Sequence, residues 1–326
     1  MLSEGKNAAI ETEDKRPSDI PVIRLGLIGV GKIALDQHIP ALRADPRFEI
    51  VATASHHGSL PDIPTFDALD SLLDAGIAFD AVSICTPPKH RHALASAALR
   101  AGKHVMLEKP PGTSIEEVED LALCAMRARR TLFTTWHSRE SSCVDSARTW
   151  LAARRIQRVT ITWQEDIRVW HPGQHWILDA DGFGVFDPGI NALSILSHLL
   201  PDALVVRAAT LHVPENKHSP IAAHLALGCE NSTVAVTLDF LYPGPPRWDI
   251  EIETDGGLLA LREGGQRMEI NGELSEVSRN REYARLYSRF AALISECACD
   301  VDTAPLRLAT DALARGRRVA APAFDF

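Results

Sequence analysis

Between residues 182 and 191 the chain reads Gly-Phe-Gly-Val-Phe-Asp-Pro-Gly-Ile-Asn, which puts a carboxylate, Asp187, four residues before an amide, Asn191. At a predicted helix start, positions i and i+4 share a face, so the two side chains can address one small molecule together. A carboxylate beside a substrate hydroxyl can take its proton, and an amide can orient it. An aspartate followed by Pro188 is equally a good N-cap followed by proline at the first helical position, so this segment alone leaves capping and chemistry both open. Glu108-Lys109-Pro110 adds a lysine able to carry a proton or polarise an oxygen.

Such side chains need elements to position them. Apolar runs at 22–30, 48–54, 80–85 and 104–107 read as strands, with helical spacing toward Leu42 and at 66–73 and 90–100 between them. Strands alternating with helices predict a parallel, doubly wound sheet. Ser114-Ile115-Glu116-Glu117 has the capping-box form ahead of a helix reaching about residue 129, and 132–136 returns to strand. Beyond residue 140 the rhythm changes. A helix at 145–153, a strand at 158–165 and the helix opened by Asp187-Pro188 precede strand-like runs at 204–213, 222–227, 233–240, 248–254 and 258–261. Two helices, 280–297 and 304–315, finish the chain. Consecutive strands without intervening helices predict a large, mostly antiparallel open sheet in an α+β second domain.

The bulk numbers agree with two domains, since 326 residues exceed what one hydrophobic core usually serves. With 45% hydrophobic and 24% charged residues the chain has globular composition, and a net charge of -9 argues against a nucleic-acid partner. Cys85, Cys124, Cys143, Cys229, Cys297 and Cys299 lie in apolar segments without CxxC spacing, predicting reduced thiols, a cytoplasmic location, no disulfide and no structural zinc. Residues 1–20 are polar and charged, lack the apolar stretch of a signal peptide or membrane span, and read as a flexible tail. His171 and His175 are four apart, but Pro172 and Gly173 spoil a helical metal-ligand pair, so no metal is expected.

Gly29-x-Gly31-x-x-Ala34 sits between the first strand and first helix, the context that gives this motif meaning. Gly29 permits the tight turn, Gly31 lets backbone approach a pyrophosphate, and Ala34 keeps the helix close to the sheet, its N-terminus aimed at the anion. Lys32 and Ile33, at that helix start, join the cofactor candidates. An acid after the second strand would hydrogen-bond an adenosine ribose, but the segment Ser55-His56-His57 has none, so NADP is tolerated and dual use with NAD is expected. Thr86-Pro87, His90 and Glu108-Lys109 lie at or just beyond C-terminal strand ends, where open α/β sheets bind ligands.

Through Gly29-x-Gly31-x-x-Ala34, Glu108-Lys109-Pro110 and Gly182-x-Gly184-x-x-Asp187-x-Gly189-x-Asn191, the chain resembles the Gfo/Idh/MocA family of NAD(P)-dependent oxidoreductases along nearly its whole length. The resemblance implies a Rossmann domain over 21–140 and a substrate-binding and oligomerisation domain over 141–326, with the last helices packing back on the first. It implies a homo-oligomer, dimer or tetramer, formed through the second sheet, and Lys109 and Asp187 facing the nicotinamide. Many members carry histidine where this chain has Asn191, so a histidine base is replaced by a residue that can only orient substrate.

That substitution and the stretch from Trp163 to Gln174 look like the members that oxidise D-galactose or L-arabinose at C1. A pyranose offers hydroxyls that need carboxylate and amide partners and an apolar face that packs on tryptophan. Glu165, His137, Trp170, Asn191 and Trp248 are the candidate sugar contacts. The C1 proton goes to Asp187 or to a neutral Lys109, with Asp187 favoured and Lys109 orienting the oxygen. A dihydrodiol or inositol dehydrogenase, and a non-catalytic dinucleotide-dependent regulator of the same fold, are the rival readings.

Overall fold

The computed structural model describes residues 22–56, 58–200, 203–228 and 233–326. The expected tail over 1–20, together with His57 and Cys229, lies outside them. The first half alternates as expected. Strand β1 (Ile23–Ile28) leads through a π-helical turn (Ala34–His38) into α1 (Ile39–Ala44), followed by β2 (Phe48–Ala54), β3 (Thr65–Phe66), α2 (Leu69–Asp74) and β4 (Ala81–Ile84). Then come α3 (Pro88–Arg100), β5 (His104–Leu107), α4 (Ile115–Ala128) and β6 (Leu132–Thr134). These six strands form a wholly parallel sheet in the order β3-β2-β1-β4-β5-β6.

Local chemistry explains several boundaries. Ser114 caps α4, its hydroxyl accepting from Glu117 N–H at 3.3 Å, while the Glu117 carboxylate reaches back to the Thr113 N–H at 2.7 Å. Phe66, the expected helix start, instead joins Thr65 in a short edge strand, because β-branched and aromatic side chains favour pairing beside β2. In the π turn, Ile39 N–H bonds Ala34 C=O across five residues instead of four. Pro40 follows directly, has no N–H to give and crowds the carbonyl four residues back, so widening the turn relieves the clash.

The second half contains α5 (Ser142–Leu151), β7 (Ile156–Gln164), the single turn α6 (Ile167–Trp170), α7 (Phe186–Leu199), β8 (Val205–Pro214), β9 (Ala222–Gly228) and β10 (Thr233–Asp239). It continues with β11 (Arg247–Thr254), β12 (Gly257–Arg262), β13 (Arg267–Ile270), β14 (Glu273–Val277), α8 (Glu282–Glu296), α9 (Ala304–Arg315) and β15 (Arg317–Ala321). Nine strands form the open sheet β14-β13-β12-β11-β7-β10-β9-β8-β15. It is mostly antiparallel, with two parallel pairs, β10 beside β7 and β15 beside β8. The first arises because a long excursion through α7 and the β8–β9 hairpin separates β7 from β10, and such a crossover can return the chain in the same direction.

Alternation along β7 sends Val159, Ile161 and Trp163 into the core and Thr160 and Thr162 to the other face. Ile190, Leu193 and Leu196 of α7 pack on that core. Helices α2, α3 and α4 cover one face of the six-stranded sheet, and α1 covers the other together with α8 from the far end of the chain. Phe290 of α8 stacks between Phe48 and Phe133 with ring centroids 6.4 Å from each. A fully buried side chain of this kind contributes about 1.5–3 kcal/mol. Helix α9 instead packs against α7 and β8. Among the described residues no helix is long and apolar enough to cross a membrane.

Candidate active site

At the end of β1, Gly29 has φ +87°, and a Cβ there would lie 3.0 Å from the Thr86 backbone nitrogen. Both facts require glycine. At Gly31 a Cβ would meet no protein atom within 4 Å, so the space above the turn is open at a helix start. The first helical bond runs from Leu35 N–H to Gly31 C=O, which leaves the amides before it to face that space. This is the room a pyrophosphate needs, and the residues present fit a dinucleotide. Ser55 Oγ, at the end of β2, accepts from Val30 N–H at 3.1 Å and so braces the turn. His56 lies beside it. Thr86 Oγ1 is buried without a hydrogen-bond partner among the described residues, an orphaned group next to Gly29.

The other expected cofactor residues are arranged less uniformly. Lys32 is exposed, and its ammonium pairs with Asp36 one turn on. Pro87 opens α3, and exposed His90 sits in that helix's first turn. Glu108 departs from expectation. Its carboxylate, 2% exposed, turns into the core, where it accepts from Lys109 N–H at 2.8 Å and Tyr283 OH at 2.7 Å and contacts His38 Nε2 at 3.1 Å. Burial alone would raise its pKa, but hydrogen-bonded His38, with His137 and Arg91 near, holds it well below the usual carboxylate range. Burial opposes charge on His38 too, yet Cys85, Tyr287 and Glu108 outweigh it and its pKa is raised.

Asp187 is not the helix cap that its sequence context suggested. Helix α7 starts one residue before it, with Val185 in the cap position and no side-chain cap bond. The reason lies in the backbone: Val185 N–H donates to Pro220 C=O at 2.8 Å, and Gly184, at φ +55°, lies so close that a Cβ would sit 2.2 Å from that oxygen. The chain therefore enters the helix early, and the Asp187 carboxylate is left for other partners. Lys109 Nζ donates to the Asp187 main-chain oxygen at 2.9 Å and lies 3.5 Å from Oδ1, with Asp187 buried.

A cavity of about 380 Å³ opens beside Lys109, with Pro188, the neighbour of Asp187, also in its wall. It is lined by Lys109, His137, Glu165, Trp170, Asn191 and Trp248, so all five expected substrate residues meet there. Ile33 and Gln37, from the helix leaving the dinucleotide turn, line the same space. Glu165 is held from both sides: Trp248 Nε1 donates to Oε2 at 2.7 Å, and His171 Nε2 lies 2.7 Å from Oε1. Trp163 and Trp248 stack with centroids 6.1 Å apart, and Trp170 meets Trp248 edge-on at 4.7 Å. The Asn191 amide has no protein partner among the described residues.

Several lining residues escaped sequence reasoning. Trp163 shares the strand face of Glu165, two residues on, and lies opposite Trp248 in register, so strand alternation could have found it. His171 was weighed only as a metal ligand. It faces Glu165, whereas His175 packs on Phe326. Tyr283, Gln266 and Asn280 come from segments far along the chain and carried no local signal.

Burial lowers the His137 pKa to about 4, positive Lys109 and His38 reinforcing this against Glu108. Its folded value thus lies below the unfolded 6.5, so as pH falls from 6.5 toward 4 the unfolded chain takes up a proton that the folded site refuses. This group's share of stability is present above pH 6.5 and falls by about 3 kcal/mol across that window. In denaturant unfolding between pH 4.5 and 7, His137→Gln is expected to show a shallower acid-side loss than the parent. Superimposable slopes would refute the assignment.

A parallel sheet with an open glycine turn, and a cavity that brings Lys109, Glu165 and Asn191 together, fit a dinucleotide-dependent oxidoreductase. A family model described as an oxidoreductase family with an NAD-binding Rossmann fold matches residues 23–135. Over 303 residues the chain is 44% identical to galactose 1-dehydrogenase of Pseudomonas fluorescens, covering 93% of this chain and 98% of that one. Its structure is similar to D-galactose-1-dehydrogenase from Rhizobium etli, with a TM-score of 0.89 and 44% identity over 93% of this chain and 98% of that one. A 3-ketoreductase from Actinomadura kijaniata, solved with NADP and TDP-benzene, shares the fold at a TM-score of 0.79 and 20% identity, covering 92% and 100% of the two chains. The chain belongs to the Gfo/Idh/MocA family of oxidoreductases.

Proposed function

We propose that this chain is a cytoplasmic NAD(P)-dependent aldose 1-dehydrogenase that oxidises C1 of D-galactopyranose, and of L-arabinopyranose, to the lactone. The observation that carries this reading is the shared cavity, in which Lys109, bonded to Asp187 behind it, meets doubly braced Glu165, tryptophan faces and an Asn191 amide that has no partner among the described residues. Its volume of about 380 Å³ lies in the range of small-ligand sites. The two sugars share their ring hydroxyl pattern and differ by the hydroxymethyl group at C5, so one arrangement of acceptors serves both.

A nicotinamide held beside Lys109 would supply the hydride acceptor for C1. Lys109 Nζ spends two donors on Asp187 and has one left for the C1 oxygen, which it orients and makes more acidic. Asp187 takes the hydroxyl proton. Asn191, one turn along α7, and Glu165 bind ring hydroxyls, and Trp170 and Trp248 cover the apolar sugar face. The test is absorbance of reduced nicotinamide with a panel of aldoses and both cofactors. Turnover with D-galactose is expected; no turnover with any aldose would overturn the reading in favour of another oxidoreductase or a non-catalytic regulator.

Cofactor choice follows from the end of β2. No acid is available there to bind the ribose and repel a 2'-phosphate, so NADP is used at least as well as NAD. Ser55→Asp is expected to shift the NADP to NAD ratio of kcat/KM toward NAD about tenfold or more, on the scale of one lost polar contact and one added repulsion. A parent enzyme that does not use NADP would defeat this.

The sheet face turned away from α5 and α7 supports self-association. Ala208, Ala226, Ala235 and Thr160 lie in register across it, a flat patch of small side chains suited to close approach.

A further inference from the structure

We propose that His38, Glu108 and Tyr283 form a buried positioning unit that holds Lys109 in place and ties it to the helix leaving the dinucleotide turn. The inference rests on the reading of Lys109 as a catalytic residue. One Glu108 oxygen accepts from Lys109 N–H at 2.8 Å, and the other accepts from Tyr283 OH at 2.7 Å and meets His38 Nε2 at 3.1 Å. The opposite nitrogen of His38 lies 2.7 Å from Tyr287 OH, which in turn donates to Ser83 Oγ at 3.2 Å. All five side chains are buried, at 6% exposure or less.

The members come from four separate places. His38 ends the π turn after Gly31, Ser83 lies on β4, Glu108 follows β5, and both tyrosines lie on α8. If stability alone were served, apolar side chains of the same volume would do as well, because burying a carboxylate and an imidazole costs several kcal/mol before their mutual attraction is counted. What a satisfied polar network adds is a single geometry. That geometry fixes the peptide from which the Lys109 side chain extends. Tyr283 also lines the cavity and stacks on His137 with centroids 5.5 Å apart, so the unit touches the reaction space directly. His38 links it to the cofactor side, one residue after Gln37, which lines the same cavity.

The test compares Tyr283→Phe, His38→Gln, Glu108→Gln and Glu108→Ala with Lys109→Met in the full chain, using whichever aldose gives turnover. Tyr283→Phe keeps the ring contacts and removes only the bond to Glu108. A ten- to hundredfold fall in kcat is expected for Tyr283→Phe and His38→Gln, with both KM values within about threefold of the parent. The primary deuterium isotope effect on kcat should rise with C1-deuterated substrate, because a misplaced Lys109 slows the chemical step. Glu108→Gln, which can still accept from Lys109 N–H, should retain more kcat than Glu108→Ala. Dinucleotide binding, read by protein fluorescence, should be unchanged in Tyr283→Phe, and this separates mispositioning from misfolding. Unchanged kcat in Tyr283→Phe and His38→Gln beside an inactive Lys109→Met overturns the positioning unit alone. So does a loss in which KM rises as far as kcat falls. Parent-like turnover in Lys109→Met overturns both this inference and the reading beneath it.

Discussion

Lys109→Met is expected to lower kcat by about 10³-fold while leaving the protein folded and able to bind dinucleotide. Methionine keeps the length and apolar stem of lysine and removes only the ammonium, so packing around residue 109 is little disturbed. What is lost is the donor that bonds the Asp187 main-chain oxygen at 2.9 Å and approaches its carboxylate at 3.5 Å. On the proposed mechanism the same group orients the C1 oxygen and stabilises the charge that develops there. General acid–base assistance is worth about 10²–10⁴ in rate, and an ammonium that also fixes the base belongs in the upper half of that range. Asp187→Ala should produce a loss of similar size. The double variant should be little worse than either single one, because residues that act as a unit are strongly non-additive. Steady-state kinetics with D-galactose on the three variants checks this, and near-parental turnover in both single variants would end the proposal.

Arg91→Met is expected to be the most damaging single change to stability near the site, costing about 3–5 kcal/mol. Arg91 is 5% exposed, and burial lowers its pKa, with Glu108, Cys85 and Asp187 acting the other way. Its guanidinium donates to Thr86 C=O at 2.8 Å, to Glu108 C=O at 2.6 Å and to Pro110 C=O. Those carbonyls lie just past the ends of β4 and β5, where the parallel ladder has stopped pairing them. Methionine would fill the volume and leave three buried acceptors without a donor, each costing about 1–3 kcal/mol before relaxation. Arg91→Lys should recover little, because a compact ammonium cannot span three carbonyls as a planar fork does. Since Lys109 lies between two of the tethered carbonyls, activity should fall along with the melting temperature. A melting temperature within a degree of the parent's would contradict this account.

The alternation of strands and helices in the first half was legible because short apolar runs bounded by turn residues carry a local signal. Residues 48–54 and 104–107 coincide with β2 and β5. Strand β13 and the two edge strands β14 and β15 went unread. Their mixed polar sequences are half-solvated and gain their pairing only from neighbours. The doubly wound sheet, the open mostly antiparallel sheet and the family were all readable. The two parallel pairs in the second sheet were not, because direction is decided by connections and not by strand composition.

Within the site, Lys109, Asp187, Glu165 and Asn191 were readable as residue types able to do chemistry, whereas the cap role offered for Asp187 was not the one adopted. The deciding contact, Val185 to Pro220, joins positions whose relation has no local trace. The same holds for Glu108. Its motif suggested a ligand of the cofactor, yet its partners His38 and Tyr283 lie 70 and 175 residues away in sequence.

The widened turn before Pro40 has a consequence for how this helix is addressed. One extra residue in a turn rotates everything downstream by about 100° relative to an unbroken helix. Ile33 before the turn and Gln37 within it face the reaction space, and His38 at its end is sealed inside the protein at 0% exposure. The proline thus sets where the helix changes phase, between the residues leading out of the dinucleotide turn and Ile39 and Leu42, which pack in the core. Alignments or designs that carry an uninterrupted helical wheel through residues 34–44 would misplace the side chains after the turn by about 100°.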